Sequence, residues 1–164
     1  MTVDRNHFIE NFPAISCRRP SLHDLAVSLW DTHQADRLIN VDNWIDLLDL
    51  DLEGFGRSGF GSLLYFMEVE MLWAFLPAWL VIGLEQRTNY ENVVPVVVAM
   101  LNPQQGSADE AERTGKIVAM ANPLQKLAIS AAISELADLH YRGQPDSQFE
   151  MSATANFWKQ SALS

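Results

Sequence analysis

Cysteine, basic residues and long apolar stretches are all scarce in this sequence of 164 residues. Cys17 is the only cysteine, which excludes a disulfide within the chain and a zinc site of the cysteine type. The longest apolar run covers residues 71–84, whereas a membrane-spanning helix needs about 20 residues, so we expect a buried helix there and no membrane segment. The N-terminus has no apolar segment after a basic start, and we therefore expect no secretory signal and a cytoplasmic location.

The shortage of basic residues gives the chain a strongly negative charge. There are 11 Lys and Arg against 21 Asp and Glu, a formal net charge of -10. Residues 24–53 alone hold eight acids and one base. Phosphates and anionic lipids repel such a chain, so we expect neither nucleic acid nor a membrane surface as its partner. The same charge attracts a basic protein.

Apolar residues are plentiful and predict a folded protein. They make up 48% of the chain and include five Trp and eight Phe, which disordered chains lack. The length suits one hydrophobic core, so we expect a single domain over residues 1–164. The apolar residues mostly recur with helical spacing, which predicts a compact all-α bundle of about five to seven helices.

Capping residues mark several of these helices. Ser21 is the predicted N-cap of a helix over residues 21–33. A helix over residues 122–141 begins with Asn122 as cap, Pro at the first position and Gln at the third. A short last helix over residues 155–163 is predicted to begin from Thr154.

The middle of the chain is the most apolar part and predicts a central helix. Within residues 62–87, the part beyond Glu68 and Glu70 is apolar on every face, which is typical of a helix inside a fold. Pro77 lacks the backbone N–H that a helix uses, so we expect either one kinked helix or two short helices that meet there. Glu68 and Glu70 lie near the start of this element.

Two segments fit both a helix and a strand, and two others have the composition of loops. We favour a helix for residues 46–52, ending near residue 54, and for residues 92–101, with Pro95 in its first turn. Loops are predicted over residues 54–61 and 102–112.

Motifs for catalysis, metals and cofactors are missing or incomplete. Glycines in residues 54–59 match a dinucleotide-binding pattern, but no parallel sheet is predicted around them. Residues 49–54 resemble the start of a calcium-binding loop, but Phe60 stands where that loop needs a Glu. Cys17 precedes two arginines that would lower its pKa, yet no base is paired with it. We therefore predict no catalytic residue, no metal site and no cofactor.

Four titratable residues keep other functions open. His33 and His140 fall on apolar faces late in helices, where we expect hydrogen-bonded structural residues. Glu68 and Glu70 are two residues apart and point to different sides of a helix. One alternative is a ligand-binding or enzymatic helical domain in which these four residues line a pocket. Another is a structural adaptor subunit, and the oligomeric state stays open.

An acidic stripe covers residues 42–53, which hold five acids and no base among apolar residues. It is either a solvated helix face or a docking surface for a basic partner, with carboxylates that speed the encounter and an aromatic hot spot. The predicted partner-binding residues are Asp42, Trp44, Asp46, Asp49, Asp51 and Glu53.

Residues 44–86 resemble a family of small acidic bacterial proteins of uncharacterised function. The shared pattern is a Trp-led acidic segment, a Gly-containing spacer and an aromatic-Leu-Pro-Ala-aromatic-Leu core, which reads FLPAWL here at residues 75–80. Residues 124–129, LQKLAI, are similar to the opening of the family's later Ala-rich helix. The resemblance implies a compact helical fold and no enzymatic activity.

Members of such families often accompany secreted toxins as cognate immunity proteins. Together with the acidity and the missing catalytic set, the resemblance predicts an intracellular protein-binding inhibitor and not an enzyme. Its partner would be a toxin whose basic active site it occludes.

Overall fold

Nine α-helices and one 3-10 turn make up the secondary structure that the computed structural model describes. The described residues are 3–17, 21–29, 35–50, 59–86, 90–104 and 107–164. The helices are α1 (Arg5–Asn11), α2 (Leu22–Leu29), α3 (Trp44–Leu48), α4 (Gly59–Phe66), α5 (Val69–Leu84), α6 (Tyr90–Met100), α7 (Ala108–Met120), α8 (Pro123–His140) and α9 (Pro145–Ser161), with the 3-10 turn Asp36–Leu38 between α2 and α3. The all-α class is confirmed, since no strand occurs in these ranges, but the predicted five to seven helices were too few.

The helix α5 is the centre of the fold. Thirteen consecutive residues, from Met71 to Gly83, are buried, and the helix contacts α1, α3, α6, α7 and α8. This confirms the predicted buried central helix. None of the helices in the described part of the chain has the length and apolar character that a bilayer crossing demands.

Of the two alternatives at Pro77, the single helix that contains this residue is confirmed, and the pair of short helices meeting there is wrong. Pro77 lies inside the continuous helix α5, and the break with α4 falls instead at Met67 and Glu68. Glu68 adopts the extended backbone conformation of an N-cap, with φ -60° and ψ 156°. Because α5 is packed on all sides, its contacts outweigh the one helical hydrogen bond that a proline removes.

Two capping boxes explain short or unexpected helices. The Ser107 hydroxyl accepts from the Glu110 N–H at 3.4 Å, and the Glu110 carboxylate accepts from the Ser107 N–H at 2.6 Å. This pair starts α7 at Ala108, so the predicted loop over residues 102–112 is wrong from that point. Asn43 and Asp46 form the same box at α3, a helix of five residues that would not persist in isolation.

The helix predicted over residues 46–52 ends early, at Leu48, and the predicted end near residue 54 is wrong because Asp49 and Leu50 are no longer helical. α6 confirms a helix over most of residues 92–101, although Pro95 is its sixth residue and not in the first turn. α2 begins after Ser21, whose hydroxyl accepts from the Asp24 N–H at 3.1 Å, as predicted. α4 begins at Gly59, so the loop predicted over residues 54–61 is wrong for its last three residues. Residues 30–34 and 51–58 lie outside the described ranges.

The start of α8 is confirmed in detail. Asn122 accepts from the Gln125 N–H at 3.0 Å, Gln125 accepts from the Asn122 N–H at 2.9 Å, and Pro123 is the first helical residue. Helical spacing predicts Leu139 on the apolar face of this helix and Ser130 on the opposite face, and the structure differs at both residues. Leu139 is 44% exposed, whereas Ser130 is buried because α9 covers it and its hydroxyl donates to the Ala155 carbonyl oxygen at 2.7 Å.

The helix α9 is longer than predicted and begins at Pro145. Thr154 is not a cap. It is buried in the middle of α9, and its hydroxyl donates to the Glu150 carbonyl oxygen at 2.9 Å. Trp158 is fully buried, and its indole N–H donates to the Leu101 carbonyl oxygen at 2.9 Å. This bond ties α9 to the end of α6.

Candidate functional site

Trp44, the aromatic residue of the predicted docking surface, belongs to the core. Its exposed fraction is 0%, and its indole N–H donates to the Pro13 carbonyl oxygen at 3.2 Å. The side chain therefore fixes the N-terminal segment against α3. In this position it presents no surface to a partner.

Asp42 and Asp46 hold the start of α3 in place. One oxygen of Asp46 accepts from the backbone N–H groups of Asp42 and Asn43, both at 3.1 Å, and from the Asn43 side-chain amide at 2.8 Å. Asp42 accepts from the Ser16 hydroxyl at 2.7 Å, and its carbonyl oxygen accepts from the Cys17 N–H at 2.8 Å. Both carboxylates are half-buried and have structural partners.

Asp49 is the exposed acid of the described part of the stripe. Its side chain is 67% exposed and forms an ion pair with Arg5 at 2.6 Å, which links α1 to the end of α3. Asp51 and Glu53 lie outside the described residues. The partner-binding role of the acids stays a prediction. In addition, Asp42 and Asp46 accept hydrogen bonds that stabilise the start of α3.

A second group of exposed acids lies around His23, inside the acidic segment 24–53. The carboxylates of Asp24 and Asp36 lie 3.5 Å and 3.7 Å from the two ring nitrogens of His23. Their side chains are 66% and 68% exposed. The pKa of Asp24 lies below its ordinary value, through side-chain hydrogen bonds first with Ser21 and then with His23. We call Asp24 and Asp36 the acidic pair.

The predicted lowering of the Cys17 pKa is wrong. Burial raises the pKa of this half-buried thiol, and the negative charge of Asp42 raises it further. The two arginines that follow lie outside the described residues. A thiol of raised pKa holds little thiolate at neutral pH, which disfavours a nucleophilic role.

The alternative pocket of two histidines and two glutamates does not form among the described residues. The His140 ring nitrogen Nε2 lies 2.9 Å from the Gly83 carbonyl oxygen, which confirms a hydrogen-bonded structural histidine. Glu68 and Glu70 are exposed at the start of α5, and no described cavity joins either of them to His140. His33 lies outside the described residues, and no cluster suited to a metal ion occurs within them.

An open groove of about 510 Å³ lies between the α4–α5 junction and α7, and we call it the α4–α7 groove. Tyr65 and Phe66 form one side and are 53% and 61% exposed. Asp109 and Lys116 stand on the other side. The apolar pattern of residues 62–87 predicts a buried element and so gives no sign of this groove. Adjacent aromatics just before Glu68 were the available signal.

Arg113 shapes the groove by joining α7 to the end of α4. Its guanidinium donates to the carbonyl oxygens of Leu64 at 3.2 Å, of Tyr65 at 3.3 Å, and of Met67. Such carbonyls at a helix end have no partner within the helix. Burial lowers the pKa of Arg113, and the charges of Glu68 and Glu110 act in the opposite direction.

Two further cavities lie beside α9. One of about 110 Å³ lies against α6, between Pro95 and Thr154. The other, of about 390 Å³, lies against α8 and is lined by small and polar side chains such as Ser130 and Ser134. Neither places charged groups in a catalytic arrangement.

Comparisons of the chain with protein-family models, with curated proteins and with solved structures found no match.

Proposed function

We propose that this protein acts in the cytoplasm as an inhibitor that binds a basic protein, and that this partner is a toxin whose basic active site it occludes. The observation that carries the proposal is the concentration of eight acids and one base in residues 24–53. The exposed acidic pair, Asp24 and Asp36, lies in that segment. The toxin as partner comes from the resemblance at the FLPAWL core.

The charge pattern suits this function physically. An exposed acidic segment raises the rate at which a basic protein associates, by attraction over about a Debye length. Asp24 is ionised at neutral pH, as an ordinary aspartate is, and its lowered pKa extends that charge to more acidic conditions. The half-buried acids Asp42 and Asp46 contribute to the field of the segment, while their hydrogen bonds serve the fold.

The test is co-expression of the chain with the product of its neighbouring open reading frame. We expect that product to arrest growth when expressed alone, and the chain to restore growth and to form a complex with it. A product that is harmless and forms no complex would overturn the toxin proposal.

The role of charge is tested on the same complex with two matched double variants. Asp24→Asn/Asp36→Asn removes the acidic pair, and Asp138→Asn/Glu150→Gln removes two exposed charges elsewhere. At low salt we expect the first variant to associate about tenfold more slowly, and the second to change the rate less than twofold. Equal effects of the two variants would show that net charge acts and not the acidic pair.

A further inference from the structure

We infer that the α4–α7 groove is a docking surface for a basic peptide segment of a partner protein, with an Arg or Lys side chain lying against the rings of Tyr65 and Phe66. None of its residues belongs to the segment 24–53. The inference therefore goes beyond the proposed toxin inhibition and stands or fails apart from it.

The two rings are exposed because of their position on α4. Leu63, Leu64 and Met67 are buried and anchor this end of the helix to the core. Tyr65 and Phe66 lie between them and turn outward, with 53% and 61% of their surfaces exposed. The core does not need aromatic residues there. Tyr and Phe are enriched at protein interfaces, and Tyr is among the residues that most often contribute a large share of binding energy.

The cations at the groove already have partners. Arg113 donates to the carbonyl oxygens at the end of α4, as described above. The Lys116 ammonium lies 2.8 Å from a Glu112 carboxylate oxygen, and this pairing raises the pKa of Lys116. Neither group is available to an incoming anion without losing those contacts.

Three carboxylates and two cations line the groove. Two further carboxylates lie close enough for their charges to act on Arg113 and Lys116, which brings the carboxylates in and around the groove to five. The five are Glu68, Glu70, Asp109, Glu110 and Glu112. Within the described parts of the chain no residue forms an ion pair with Glu68, Glu70 or Asp109. Negative charge around exposed rings favours a cation placed over the ring faces.

The size of the groove fits part of a peptide. Its volume of about 510 Å³ lies in the range of ordinary ligand sites, roughly 300–1,000 Å³. The groove is open and not enclosed, which suits a chain segment that crosses it. Electrostatic attraction to the five carboxylates selects a basic segment over a neutral one.

The test uses a short synthetic peptide of alternating Gly and Arg, titrated into the isotope-labelled full chain and followed by nuclear magnetic resonance. We expect the largest shift changes at the amides of residues 64–69 and 109–116. The same peptide with Gln in place of Arg should leave the spectrum unchanged. Shift changes centred on residues 21–50, or equal changes with the Gln peptide, would overturn the inference.

Two sets of variants distinguish the contributions of the rings and of the groove carboxylates to binding from the effect of the net charge of the protein. Tyr65→Leu/Phe66→Leu keeps the apolar character and should weaken the Kd about tenfold, the value for two exposed cation–π contacts. Phe149→Leu, on a ring that is 76% exposed on α9, is the matched control and should change the Kd less than twofold.

The charge variants follow the same design. Glu68→Gln/Asp109→Asn should weaken the Kd at least threefold at low salt, and the effect should vanish at high salt. Asp138→Asn/Glu150→Gln is the control. If the control variants weaken binding as much as the groove variants, the peptide is held by net charge alone and the docking surface is refuted.

Discussion

Replacing Asp46 by Ala tests whether this acid stabilises the fold. Asp46 accepts three hydrogen bonds, two from the backbone N–H groups of Asp42 and Asn43 and one from the Asn43 amide. Loss of a capping partner costs about 0.5–2 kcal/mol. Since Asp46 is half-buried, water replaces part of these bonds, and we expect about 1.5 kcal/mol. For a chain of this length that lowers the Tm by roughly 3–6 °C.

The assay is urea unfolding followed by circular dichroism, with Asp49→Ala as the control. Among the described residues, the Asp49 side chain has its exposed ion pair with Arg5, which is worth about 0–1 kcal/mol. Asn43→Ala should cost about as much as Asp46→Ala, and the double variant should cost less than the sum of the two. An Asp46→Ala variant no less stable than Asp49→Ala, or an additive double variant, would refute the capping role.

Three further predictions concern other single residues. Arg113→Met should lower the free energy of unfolding, measured by urea unfolding, by about 2 kcal/mol, because the carbonyls at the end of α4 lose their donor. An unchanged free energy of unfolding would contradict that role of Arg113. Trp158→Phe should lower the free energy of unfolding by about 2–4 kcal/mol in the same assay, since it leaves the buried Leu101 carbonyl without a donor and opens a cavity. A loss under about 1 kcal/mol would contradict this role of Trp158. Alkylation of Cys17 by iodoacetamide should be slower at neutral pH than that of free cysteine, because a raised pKa leaves less thiolate, and Asp42→Asn should speed it; a faster reaction in the starting protein would refute the raised pKa.

Local chemistry made parts of the fold predictable. The caps of α2 and α8 depend on residues within three positions of each other, so the spacing of Ser21 or of Asn122 and Gln125 is sufficient. Ser107 and Glu110 have the same spacing, but the composition of residues 102–112 predicts a loop, and the capping box outweighs that composition.

Long-range packing decided the rest. Pro77 disfavours a helix on local grounds, but the neighbours of α5 come from five other helices and hold it continuous. Trp44 and Asp46 have the residue types of a docking surface. Their structural roles become visible only in the fold. Trp44 contacts Pro13, which lies 31 residues away, and Asp46 accepts hydrogen bonds from the turn before α3. The groove at Tyr65 depends on Arg113, 48 residues later, and no spacing pattern reveals such a pair.

The burial of α5 has a consequence for synthesis on the ribosome. The residues of α5 emerge before those of α6, α7 and α8, which cover three of its contact surfaces. A nascent chain that ends before α8 therefore exposes apolar surface of α5 to solvent. Such exposed surface favours aggregation or chaperone binding. Burial of the most apolar segment is therefore complete only after α8, which ends at His140, has left the ribosome.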